Sequence, residues 1–233
     1  MSDSILECKN LVKNYGSKNV LKGISLSLKK GRIIGLLGPN GSGKTTFIKI
    51  CAGLLKENSG EIYIDDKKIG IETKEVVSYL PERTYLERSM RVVDAIKFFK
   101  TFYSDFDESR ALNMLKKLDI NIYDKMKTMS KGTKEKIQLI LVMSRNAKVY
   151  FLDEPIAGVD PAARDYIINT IINNYSENST VVISTHLISD IENVLDEVIF
   201  IKNGEIILNN TVDEIREKNG KSVDALFREV FRC

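Results

Sequence analysis

An α/β fold is expected for this chain, with a mostly parallel sheet, an antiparallel β portion on its N-terminal side and an inserted α-helical portion. Three observations predict it. A glycine-rich stretch, Gly38-Pro39-Asn40-Gly41-Ser42-Gly43-Lys44-Thr45, lies between a short apolar run at 32–37 and a helical pattern beginning at Thr46. From about Val92 to Ser144 apolar residues recur at helical spacing with no convincing strand. Apolar runs then return at 149–152 and 180–184, on either side of a helical stretch at 161–175, as buried parallel strands do.

In chain order, β-like runs at 5–8 and 20–28 flank turn residues Asn14-Tyr15-Gly16-Ser17, and Lys29-Lys30-Gly31 leads into the strand before the glycine loop. The helix after the loop is expected to run to about Leu55. Residues 60–69 read as a hairpin turning at Asp65-Asp66, and 76–80 as a further strand. In the middle, Val93, Ile96, Phe99, Phe102 and Tyr103, then Leu112, Leu115 and Leu118, mark helix faces. A last hairpin at 200–208 turns at Asn203-Gly204, which suits a type I′ turn, and a charged helical tail begins at Thr211. The expected organisation is one domain, 1–233: a core with its β portion at about 1–82 and 146–210, a helical part at about 83–145, and a short tail at 211–233.

Bulk properties narrow the setting. The 233 residues are 43% hydrophobic and 29% charged, and 35 basic against 32 acidic side chains leave a net charge of +3. That balance gives the chain no electrostatic reason to bind nucleic acid or a membrane surface by itself. Cys8, Cys51 and Cys233 are odd in number and lack metal-like spacing, so a reduced cytosolic setting is expected, with Cys51 a packing residue. Residues 1–10 carry no signal pattern, and no apolar run approaches the roughly 18 residues of a membrane span. The expected location is therefore cytoplasmic, reaching a membrane only through partners.

The glycine loop fits G-x-x-x-x-G-K-[ST], the phosphate-binding loop (P-loop) of NTPases. Gly38, Gly41 and Gly43 let successive N–H groups turn inward around an anion at a helix N-terminus. Lys44 adds a positive charge at the β- and γ-phosphates, and the Thr45 hydroxyl is suited to ligate a bridging magnesium ion. Pro39, Asn40, Ser42 and Thr46 complete the predicted nucleotide site.

Two later stretches supply more chemistry. An apolar strand ending in Asp153-Glu154 puts Asp153 where it can hold magnesium and Glu154 where it can polarise an attacking water. Ser130, with Lys131-Gly132-Thr133-Lys134 behind it, opens a helix at 135–143, and so reads either as a plain N-cap or as a second anion site. His186, the one histidine, follows a predicted strand, where ligands of open α/β sheets gather.

Together these residues resemble the ATP-binding subunits of ATP-binding cassette (ABC) transporters, from about Leu6 to Leu208. In that resemblance Tyr15 is the aromatic stacked on adenine, 38–45 the Walker A loop, and 79–82 the Q-loop region, with Glu82 near the metal. Ser130, Lys131 and Gly132 are the signature that acts on a partner's nucleotide. Asp153 and Glu154 are Walker B and its catalytic acid, Asp160 belongs to the D-loop 157–160, and His186 is the switch histidine. Glu82 stands where glutamine is usual, Lys131 where glycine is usual, Thr133 differs at the position after Gly132, and Val159 replaces a leucine. The first two look like a bacterial subgroup serving two-component exporters.

What the resemblance implies is an Mg-ATP-hydrolysing subunit that sandwiches two nucleotides in a head-to-tail homodimer and drives separate membrane subunits. Lys44, Glu154 and His186 would carry the chemistry. The competing reading is a soluble ABC ATPase uncoupled from transport, but neither a second cassette nor a long coiled-coil insertion is present. A non-hydrolysing regulatory subunit would be expected to lack Glu154 or His186, and a small-molecule kinase would not need Ser130-Lys131-Gly132 or Asp160.

Overall fold

A computed structural model describes residues 3–176 and 178–231, so Cys233 lies outside the described residues. The chain opens with β1 (Ser4–Tyr15) and β2 (Lys18–Lys29); burial alternates from Ile24 to Lys29 of β2, as in a sheet covered on one face. Then come β3 (Ile33–Leu37), buried at every position, and α1 (Lys44–Cys51). Next are β4 (Ser59–Ile64), β5 (Lys67–Lys68), α2 (Ile71–Val76) and β6 (Val77–Leu80). The middle holds α3 (Val92–Phe102), α4 (Glu108–Lys117) and α5 (Lys131–Met143). The second half is β7 (Val149–Asp153), α6 (Pro161–Asn174), β8 (Thr180–Thr185), β9 (Glu197–Lys202), β10 (Glu205–Thr211), α7 (Val212–Asn219) and α8 (Val223–Val230).

Two sheets result. The antiparallel one has the order β2-β1-β4-β5, and the larger one β10-β9-β3-β8-β7-β6, parallel except for the β9–β10 hairpin. Burial divides the apolar side chains into three clusters. One, with Leu6, Leu28, Phe47 and Phe151, fills the space between the two sheets and α1. A second, with Leu37, Leu152, Ile167 and Phe200, packs α6 and the tail on the other face of the parallel sheet. The third, with Ile96, Phe99, Leu115 and Ile140, belongs to α3, α4 and α5. Helix α5 joins the last two clusters, since Leu139 and Val142 face one and Ile137 and Ile140 the other.

Local differences from expectation have local causes. Both hairpin turns form where expected: Asp65 and Asp66 take φ of 51° and 62°, and Asn203 and Gly204 take 51° and 83°, the left-handed pair a type I′ turn needs. The helix after the glycine loop starts at Lys44 and stops at Cys51, short of Leu55, because Gly53 turns left-handed at φ 66°. Helix α2 was not expected; six residues with only Thr73 buried carry too little periodicity to announce a helix. Helix α5 begins at Lys131, earlier than 135, with Ser130 as its N-cap. Burial pushes the Cys8 thiol up to about 12 and holds Cys51 well above the usual thiol range, in keeping with packing roles.

Candidate active site

The glycine loop leaves the C-terminal end of β3 at the centre of the parallel sheet. Gly41 and Gly43 have φ of 79° and 113°, and a Cβ on Gly38 would lie 2.3 Å from the Ile201 carbonyl oxygen. Glycine is therefore needed at 41 and 43 for conformation and at 38 for space. The β9–β10 turn braces the loop, the Gly204 N–H donating to the Ser42 carbonyl at 2.9 Å. Lys44, only 5% exposed, donates through Nζ to the Gly38 carbonyl at 2.7 Å. The Ser42 hydroxyl is buried with no partner among the described residues.

Parallel pairing of β7 with β8 sets Asp153 opposite Ser184. Asp153 Oδ1 accepts from the Ser184 hydroxyl at 2.6 Å and from the Thr45 hydroxyl at 3.0 Å, while Oδ2 is buried and unpartnered. Burial raises its pKa above the usual carboxylate value; the two hydroxyls oppose the shift, and the charges of Glu154 and Glu82 add to it. Glu154 follows at φ 50°, a left-handed position uncommon for a side-chain-bearing residue, and its N–H donates to the Ser184 carbonyl at 3.0 Å. That turn aims the carboxylate between Lys44 Nζ, 3.4 Å from Oε1, and His186 Nδ1, 3.0 Å from Oε2.

A cleft of about 560 Å³ runs over these groups, lined by Tyr15, Lys18, 40–46, Glu82, Glu154 and His186, among others. Tyr15 is 49% exposed at its edge, and Glu82 is exposed on the rim. Asp153 lies beneath it. Gly38 and Pro39 sit behind the loop and point carbonyls at Lys44. Ser130, Lys131, Gly132 and Asp160 do not line the cleft. Ser130 is exposed, its hydroxyl accepting from the Thr133 N–H at 3.1 Å, and Asp160 caps α6 through the Ala163 N–H at 3.0 Å. Sequence reasoning overlooked Ser184, whose signal was a hydroxyl ending an apolar run, and Lys18. A cleft of about 600 Å³ elsewhere, lined by Lys30, Lys148, Asn174 and Ser179 among others, includes neither the glycine loop nor Asp153 and Glu154.

The residues fit magnesium as well as a triphosphate. The unpartnered Asp153 Oδ2 and the neighbouring Thr45 hydroxyl are hard oxygen donors of the kind that ion takes.

Comparison with known proteins identifies the family. The ABC transporter family model matches residues 21–157. An uncharacterized ABC transporter ATP-binding protein of Methanocaldococcus jannaschii is 34% identical over 218 residues, covering 91% of this chain and 80% of the relative. The linearmycin resistance ATP-binding protein of Bacillus subtilis is 31% identical over 224 residues, covering 93% and 72%. A solved ATP-binding subunit of an ABC transporter superposes with a TM-score of 0.89 at 27% identity, covering 98% of this chain and all of the other. The chain belongs to the ABC transporter family as an ATP-binding subunit, the component that binds and hydrolyses ATP to power transport. Membership implies membrane partner subunits; no helix of the described residues is long and apolar enough to cross a membrane.

Proposed function

We propose that the 560 Å³ cleft binds Mg-ATP and that Glu154 activates the attacking water, with two copies paired head to tail. The observation that carries this is Glu154 held between Lys44 and His186, directly above the half-satisfied Asp153. The 41–46 backbone and Lys44 would take the phosphates, and Tyr15 the adenine face. Thr45 and Asp153, with Glu82 on the rim, would hold magnesium, which neutralises charge on the phosphate oxygens when bound. Lys44 leaves the loop carbonyls and Glu154 as the triphosphate arrives, which frees the carboxylate to accept a proton from water. His186 steadies that carboxylate through its Nδ1 contact.

Ser130 and Asp160 are exposed in the single chain, which supports a role at a partner's nucleotide rather than at their own. In this reading the helical part at 83–145 moves as a unit about the Glu82 segment and passes the motion to membrane subunits at the cytoplasmic face. The Bacillus subtilis relative, a linearmycin resistance protein, supports export as the direction. The test of the chemistry is Glu154→Gln: ATP binding is expected to persist while turnover falls at least about 100-fold, the usual worth of a general base. Unchanged hydrolysis in that variant contradicts the assignment.

A further inference from the structure

Residues Ile137 to Met143 of α5 are all buried, and six of the seven are apolar. The seventh is Gln138, 2% exposed. A buried amide is costly unless both its ends are bonded. Its Nε2 donates to the Pro81 carbonyl and its Oε1 accepts from the Tyr85 N–H, each at 3.3 Å. Those two partners bracket Glu82, which lines the nucleotide cleft. Beside Gln138 lies a cavity of about 20 Å³, room for one water, whose wall includes Glu82, Glu135, Gln138 and Glu154. Glu135 Oε2 is buried and unpartnered among the described residues, and its Oε1 lies 3.6 Å from Lys131 Nζ, next to Ser130. A polar seam therefore runs from the carboxylates of the cleft to the N-terminus of α5.

We propose that Gln138 is a positioning residue that keeps the Glu82 segment in register with α5, so that a shift of Glu82 on nucleotide binding is carried to Ser130. From Gln138 to Ser130 is eight residues, about 12 Å of helix, a span short enough to move rigidly. The inference rests on the head-to-tail reading, because Ser130 then meets the partner's nucleotide and the seam makes the two sites sense each other.

The test is Gln138→Leu, with Gln138→Met as a second shape for the same apolar surroundings. Both are expected to fold and to bind a fluorescent ATP analogue within about two-fold of the wild-type Kd. Turnover is expected to fall about ten-fold, within the range coupling mutations reach. The Hill coefficient for ATP is expected to drop from near two, the ceiling for two sites, towards one. Folded variants with wild-type turnover and Hill coefficient overturn the proposal, as does loss of ATP binding along with turnover. Ser130→Ala separates the two readings: an inactive Ser130→Ala beside a wild-type-like Gln138→Leu removes only the role of Gln138. A fully active Ser130→Ala removes the head-to-tail reading and this inference with it.

Discussion

Asp153 and Glu154 are neighbours with opposite environments. Asp153 is 1% exposed, accepts two hydroxyl hydrogen bonds on one oxygen and has none on the other. Glu154, turned out by its positive φ, sits between two nitrogen-bearing side chains. Because Asp153 holds its proton more tightly in the folded chain than in the unfolded one, its contribution to stability is full below about pH 4 and is lost as pH rises through the raised folded value. In the nucleotide-free protein the thermal midpoint of wild type should therefore fall relative to that of Asp153→Asn between about pH 4 and neutrality. Parallel pH profiles for the two proteins contradict a strained carboxylate. Magnesium should reverse the difference in wild type only, since the same free oxygen that makes Asp153 costly suits it to a cation.

At the scale of elements, Arg145 ties the helices to the sheet. It is 2% exposed, forks onto the Asp105 carboxylate at 2.9 and 3.1 Å, and donates to the Glu75 carbonyl near the end of α2 and to the Val77 carbonyl at the start of β6. The Tyr103 ring lies over its guanidinium, 3.9 Å from the centroid. Arg145→Ala leaves two carbonyls and a carboxylate without their donor and should cost about 3 kcal/mol, read as a lower denaturant midpoint at unchanged slope. Arg145→Lys should recover little, because an ammonium cannot reproduce the fork. A loss below about 1 kcal/mol contradicts the staple, since that is all an exposed pair provides.

The sequence made the glycine loop, the strand ending in two acids and the Asn203-Gly204 turn legible, because each depends on residues adjacent in the chain. What it left hidden depends on pairing across the fold. Ser184 matters only because β7 and β8 run in the register that sets it against Asp153. Arg145 and Asp105 are forty residues apart, and α2 is too short for its pattern to show. Gln138 carries no motif, and its partners at Pro81 and Tyr85 lie more than fifty residues away in the chain.

In the whole molecule, the Ser130 segment lies outside the cleft. Tyr15, the loop, Glu154 and His186 gather at one cleft, while Ser130 and Asp160 are exposed outside it. In the proposed head-to-tail pairing a single copy would present one half of a site and the complement of another, which a two-fold arrangement would complete twice. Mixing two inactive variants tests this most directly. Ser130→Ala keeps its own loop and Glu154, and Glu154→Gln keeps its own signature, so a mixed pair holds one fully intact site. Combined in equal amounts, the two should recover up to about a quarter of wild-type hydrolysis by random pairing of copies. A mixture as inactive as its components would contradict the exchange of half-sites between copies.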